Sequence, residues 1–190
     1  AVSVTGISVS GADAANYTVN PPAAATASIT ARALTVSATG QNRVYDGTTN
    51  ADVTLADNRV AGDALDLSHT TASFASKNAG TARTINVAGI NVTGLDAGNY
   101  TFNTTAAATA DITARALTVN ATGQNKVYDG SANATVTLGD NRVAGDALTL
   151  NHTGAAFADK NAGAAKAVNV TGINVTGTDA ANYSFNTTAT

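Results

Sequence analysis

The chain has 190 residues, a formal net charge of −3 and a charged fraction of 12%, about half of what a soluble domain usually carries. Cysteine, methionine and tryptophan are absent and every acidic residue is aspartate, which excludes disulfides, thiolate metal sites and hydrolase chemistry that needs glutamate. The mild acidity (isoelectric point about 5.0) argues against nucleic-acid binding, which usually shows a basic stripe, and no apolar run approaches the ~20 residues that cross a bilayer.

In chain order, the first landmark is Ile29-Thr-Ala-Arg-Ala-Leu-Thr-Val36, which recurs letter for letter at Ile112–Val119. Its apolar positions change parity midway, Ile29 on odd numbers and Leu34 and Val36 on even ones. A straight strand cannot bury all three against one core, because alternate side chains point to opposite faces. The octet therefore predicts that the chain passes from one hydrophobic core to another near Arg32 and again near Arg115. Tyr17, Tyr100 and Tyr183 repeat the spacing, each following an Asn and each 83 residues from the next. Ala33–Ala107 overlays Ala116–Thr190 without a gap and with 20 differences in 75 positions. A period this long is one small domain per repeat rather than a solenoid unit. The expected organisation is the C-terminal part of a preceding repeat in 1–32, a complete repeat module in 33–115, and a module lacking its last strand in 116–190.

Within 33–115, Leu34, Val36 and Ala38 alternate as a first strand, and Asp46-Gly47 supplies a tight turn. Val53 and Leu55 form a second strand; Leu65, Leu67 and His69 a third; Phe74 centres a fourth. Ile85 and Val87 alternate up to Gly89, after which Ile90 and Val92 restart on the opposite parity, so Gly89 is expected to bend or bulge the strand. Tyr100 and Phe102 follow a polar turn, and Ala108, Ala110 and Ile112 close the module. Seven or eight short strands with turn signals every 8–12 residues predict tandem small antiparallel β-sandwich (Ig-like) modules, with β-grasp-like modules as the alternative. With few large apolar residues per module, stability is expected to lean on β-ladder hydrogen bonds and on contacts across each seam.

Chemistry is sparse. His69 and His152 are equivalent positions at strand ends, without partners spaced for catalysis or metal binding, and no phosphate-binding glycine loop or zinc-binding helix motif occurs. The chain is read as no enzyme, with no cofactor and no metal site. Asp57-Asn58 with Asp63, and Asp140-Asn141 with Asp146, are read as turn-forming residues rather than calcium ligands. Lys77 and Lys160 each precede an Asn, but adjacent strand residues point apart, which disfavours a self-made Lys–Asn crosslink. Eleven Asn-x-Thr/Ser triplets are read as the solvent face of strands rather than as glycan acceptors. The triplets Tyr45-Asp46-Gly47 and Tyr128-Asp129-Gly130 are the most motif-like feature. Tyr45, Asp46, Tyr128 and Asp129 are the candidate binding residues, an aromatic contact beside a carboxylate; the competing reading packs the tyrosine over the sandwich edge.

The ordered set Ala-Leu-Thr-Val, Ala-Thr-Gly-Gln-Asn-[Arg/Lys]-Val-Tyr-Asp-Gly, Lys-Asn-Ala-Gly, Gly-Ile-Asn-Val-Thr-Gly and Asp-Ala-x-Asn-Tyr resembles the YDG-type repeat of large bacterial surface proteins, and is similar to the related MBG-type repeats. The resemblance covers essentially the whole chain. It implies a filamentous-haemagglutinin-like adhesin exported by two-partner secretion, at the extracellular surface of a Gram-negative bacterium, and carries no catalytic residue. The expected function is a structural stalk extending a distal binding region; the alternative is repeated weak sites for a host-surface protein or glycan acting by avidity. Neighbouring repeats of the same chain are the other expected partners, with no nucleic acid and no membrane insertion.

Overall fold

The short apolar alternations at Val53 and Leu55, Ile85 and Val87, and Tyr100 and Phe102 all become strand in the computed structural model, which describes residues 2, 4–20 and 25–190. The fold is all-β. Strands of the first module are β1 (Arg32–Leu34), β2 (Val36–Gly40), β3 (Arg43–Val44), β4 (Val53–Asp57), β5 (Asp66–Ser68), β6 (Thr71–Phe74), β7 (Gly80–Ala88), β8 (Asn91–Thr93), β9 (Tyr100–Phe102) and β10 (Thr105–Thr113). They form one four-stranded sheet, β3-β10-β7-β6, and three two-stranded ribbons, β1-β9, β2-β4 and β5-β8. The second module repeats the pattern with β11 (Arg115–Leu117), β12 (Val119–Gly123), β13 (Val136–Asp140), β14 (Thr149–Asn151), β15 (Gly154–Phe157), β16 (Val168–Thr171), β17 (Asn174–Thr176), β18 (Tyr183–Phe185) and β19 (Thr188–Ala189). Among the described residues helix is limited to three 3₁₀ turns at Ala14–Asn16, Ala97–Asn99 and Ala180–Asn182, so no crossing helix of the β-grasp kind lies on these sheets.

The first strand is cut in two at Thr35. Its amide donates to Asn58 Oδ1 at 2.8 Å, and the next amide, of Val36, donates to Asn103 Oδ1 at 2.8 Å. Asn103 Nδ2 donates back to the Val36 carbonyl at 2.9 Å, so one side-chain amide replaces a strand partner. This lets β1 pair with β9 in parallel and β2 pair with β4 antiparallel, moving the chain between ribbons within one residue. Asn141 and Asn186 do the same for Thr118 and Val119 in the second module. The parity switch at Gly89 is also realised: with φ at +68°, the residue ends β7 before β8 begins, and Ile85, Val87, Ile90 and Val92 are all buried despite their opposite phases.

Ile112, on β10, belongs to the same buried cluster as Tyr45, Phe74 and Ile85, and so do Leu117 and Val119, which lie beyond Ala114 on β11 and β12. Every strand pairing stays on one side of Ala114, yet the buried side chains continue across it. Hydrogen-bond ladders thus define two modules, and the apolar contacts join them.

The sequence of 1–31 duplicates that of strands the first module already has, and its described residues find little to pack against. Among the described residues their one bridge joins Val2 to Ala25, and Val4, Ile7, Val9, Val19 and Ile29 are exposed. The turn at Ala14–Asn16 forms here as in the complete modules, with Asp13, Asp96 and Asp179 sharing φ near −100°. That turn is encoded locally. Burial of its following tyrosine is not, since Tyr17 is 70% exposed while Tyr100 and Tyr183 are buried.

Candidate functional site: the junction between modules

The turn after β3 places Tyr45 at one end of the first module, where its amide donates to the Thr113 carbonyl at 2.9 Å. The loop between β6 and β7 brings Lys77, Asn78 and Ala79 beside it. Facing them, the second module offers Val143 and Asp146 from the loop after β13, with Asp179, Asn182 and Tyr183 from the 3₁₀ turn before β18. Tyr45 has 0% exposure, and its ring meets Tyr183 edge-on with centroids 5.5 Å apart. Such a pair adds attraction beyond its buried area.

Asp146, at 8% exposure, is the hub. The Tyr45 hydroxyl lies 2.9 Å from Oδ2, the Tyr183 hydroxyl donates to Oδ2 at 2.6 Å, and Lys77 Nζ donates to Oδ1 at 3.2 Å. Tyr183 in turn accepts the Val143 amide at 2.9 Å. Lys77 also pairs with Asp179 at 3.0 Å, and its ammonium stands 5.9 Å from the centre of the Tyr45 ring. Asn182 Oδ1 accepts the Ala79 amide at 2.9 Å, and its Nδ2 lies 3.4 Å from Asn78 Oδ1. A buried carboxylate is tolerated when it is paired and hydrogen-bonded, as Asp146 is.

The charges fix a pH window. Burial, and next the Asp146 carboxylate, push the Tyr183 phenol up to about 12 from its ordinary 10. Its contribution is therefore complete below pH 10 and is lost as pH rises towards 12. Contact with Asp179, then Tyr45 and Asp146, raises Lys77 in the same direction. Asp179 is held low by the Ala147 amide and then by Lys77, so its contribution exists above the ordinary carboxylate range and is lost in acid. The expected result is a junction stable from mildly acidic pH to about pH 10. Tyrosinate absorbance should contain a component with a midpoint near 12 that vanishes in Tyr183→Phe; a titration unchanged by that substitution would contradict the geometry.

The four candidate residues part company here. Tyr45 is sealed inside the junction, so the exposed aromatic contact that the sequence offered exists at Tyr128 alone, which is 60% exposed. Asp46 turns back on its own loop, accepting the Thr48 amide at 2.8 Å and pairing with Arg43 at 3.0 Å. Asp129 repeats this with the Ser131 amide and Lys126, whose ammonium holds it near 2. Both carboxylates are about half exposed, at 49% and 55%, and each is engaged by its own loop. The Asp57 and Asp140 carboxylates accept the amides and guanidinium groups of Arg59 and Arg142. Lys77 faces two carboxylates of the next module rather than Asn78. No helix among the described residues is long and apolar enough to cross a membrane.

Gly47 and Gly130 provide a matched pair. Both hold positive φ, +82° and +76°, so a side chain at either position carries the left-handed cost of about 1 kcal/mol. Only at Gly47 would the added Cβ also strike the neighbour, 2.8 Å from Val143 Cγ1; nothing lies within 4 Å at Gly130. Gly47→Ala is expected to lower the urea midpoint more than Gly130→Ala, and equal shifts would mean that the two modules are not in contact there.

Read from sequence, Lys77, Asp146 and Tyr183 are only a disfavoured crosslink candidate, a turn residue and a repeat marker, and Asp179 and Asn182 are not named at all; none is part of a junction there. A signal was present: Tyr-Asp-Gly, Lys-Asn-Ala-Gly, Ala-Gly-Asp and Asp-Ala-x-Asn-Tyr are the same in both modules, and all four motifs meet at this one place. A YDG domain model matches residues 30–108 and again 113–190. Searches of curated proteins and of solved structures give no match. Two consecutive matches over most of the chain, with the Tyr-Asp-Gly tyrosine of the first locked into the second, place it in a family: the chain belongs to the YDG-domain proteins, as a tandem repeat.

Proposed function

We propose that the chain is part of the stalk of a large bacterial cell-surface adhesin, its repeats holding a distal binding region away from the cell. The observation that carries this reading is the Tyr45–Asp146–Tyr183–Lys77 junction, which spends the most recognisable motif on welding one repeat to the next. A linker between independently moving domains has no need of a buried carboxylate shared by two tyrosines. Export by two-partner secretion, and an extracellular setting in a Gram-negative bacterium, belong to the same proposal and rest on the resemblance to surface-protein repeats. Each module adds about 30 Å, the size of a compact chain of its length.

Small-angle scattering tests it. The chain should give one narrow distribution of distances, and Asp146→Ala should broaden it by freeing the modules. A broad distribution already in the unmodified protein would remove the stalk reading. The second reading, repeated weak binding to a host protein or glycan, is favoured by one observation: Tyr128 and Val127 are exposed together at the end of the second module. Glycan-array binding that disappears in Tyr128→Ala would support it.

A further inference from the structure

Lys77 enters the junction with its ammonium held between two carboxylates of the next module. Nζ stands 3.2 Å from Asp146 Oδ1 and 3.0 Å from Asp179 Oδ1. The Asp146 side chain is almost fully buried, and its other oxygen, Oδ2, faces the hydroxyls of Tyr45 and Tyr183 at 2.9 and 2.6 Å. A nucleophile, a carboxyl carbon, two donors on the carboxyl's second oxygen and a further carboxylate on the amine thus meet at one point. Among the described residues no other lysine has this company. Lys126 and Lys166 pair with Asp129 and Asp159, but those carboxylates are about half exposed, lie in the same loop as their lysine and receive no phenol hydroxyl.

We propose that Lys77 and Asp146 condense into an isopeptide bond, a covalent link that the chain makes between its own modules. The ion pair already holds the atoms of the products, an amide and one water. One proton passes along the existing hydrogen bond from Nζ to Oδ1, which leaves a neutral amine facing a neutral acid. The Nζ lone pair then attacks Cγ, and the Tyr45 and Tyr183 hydroxyls donate to Oδ2 as negative charge gathers there, in the manner of an oxyanion hole. Asp179 takes a second proton from Nζ and returns it to Oδ1. The Cγ–Oδ1 bond breaks, Oδ1 departs as water, and the third proton stays on the new amide nitrogen. Nothing is oxidised or reduced, and the pair is neutral overall before and after.

Burial supplies the driving force. Asp146 is a charge kept out of water, a costly state tolerated only while it is paired, and condensation removes it together with its counter-charge. Both tyrosine hydroxyls keep an acceptor, since the amide carbonyl oxygen takes the place of Oδ2. Placement in a fixed joint corresponds to an effective concentration on the order of 10⁵–10⁸ M, which offsets the preference of free amines and acids to stay apart in water. Asp179 is the poorer acyl partner. It is more exposed, and its condensation would leave the buried Asp146 carboxylate without a cation. Asp179, then Tyr45 and Asp146, hold Lys77 as the ammonium, so the attack starts from a minority form and the link accumulates slowly after folding. The Lys77 side chain is 38% exposed, which gives the released water a way out.

Intact mass of the full chain, unfolded after prolonged incubation at neutral pH, tests this. The expected mass is one water below that of the sequence, and trypsin should release residues 60–83, uncut at Lys77, joined to residues 143–160, which carry Asp146. Lys77→Arg keeps the cation without the nucleophilic amine and should hold its full mass. Asp179→Asn keeps an acceptor for the Ala147 amide and loses the proton relay, so its link should form about 100-fold more slowly. A chain that stays at full mass, a link to residues 167–190 in place of 143–160, or a link that forms as fast in Asp179→Asn as in the unmodified chain would each overturn the proposal. So would a loss of water that persists in Lys77→Arg, as ring closure at Asp46-Gly47 would give. Full mass together with a narrow scattering distribution would remove the covalent link and leave the stalk reading standing.

Discussion

Asp146→Ala is expected to destabilise the protein by about 3 kcal/mol, because it strands two buried tyrosine hydroxyls at once, each costing about 1–3 kcal/mol when left without a partner. The loss should appear as a lower urea midpoint, followed by circular dichroism since the chain has no tryptophan. Asp63→Ala is the internal control. It removes the same carboxylate from the same loop of the first module, where the one tyrosine partner among the described residues is Tyr100 and the side chain is only half-buried. Its cost should be about 1 kcal/mol. If the two substitutions proved equal, Asp146 would be stabilising its own module's turn and not the joint between modules.

The same comparison is sharper at the Tyr-Asp-Gly motif itself. Tyr45→Ala removes a side chain with no exposed surface, its edge-on contact with Tyr183 and its bond to Asp146, and should cost about 4 kcal/mol by analogy with large aromatic truncations in cores. Tyr128→Ala, in the identical triplet, should change stability by no more than about 0.5 kcal/mol, the range of exposed positions. Tyr45→Phe should fall between, since it keeps the ring and loses the hydrogen bond. The pair also separates the two functional readings. A stalk predicts that Tyr45→Ala loosens the scattering profile and that Tyr128→Ala leaves it unchanged; a binding repeat predicts that ligand affinity follows Tyr128.

The all-β class was legible because period-2 alternation is local: Val53 with Leu55, and Ile85 with Val87, name their strands and their buried faces without help from the rest of the chain. The bend at Gly89 was legible for the same reason, since apolar residues on both parities reach one core only if the pleat is broken between them, and the glycine marks where. What stayed hidden depends on side chains standing in for backbone. Asn58 and Asn103 read as polar turn residues, and nothing within a few positions of either says that their amides cut the first strand at Thr35 and take its free groups. The short β3 was invisible because Arg43-Val44 owes its strand to a parallel partner some 70 residues away. At the candidate site, the motif was found and its direction was not. Tyr45 and Tyr128 have the same neighbours in sequence, and only the presence of Asp146 and Tyr183 in front of Tyr45 makes one a core residue and the other a surface one.

The two ends of a module are different: one carries Tyr45 and Lys77, the other Asp146 and Tyr183. Such an arrangement has an arrow, and each unit fits its predecessor only one way round. Genetic loss or gain of a whole 83-residue unit, wherever the cut falls, brings a tyrosine end back against an aspartate end and leaves the array intact. A change of any other length sets two unmatched surfaces face to face. Length can therefore drift freely over generations, in whole steps, without a new joint having to be invented.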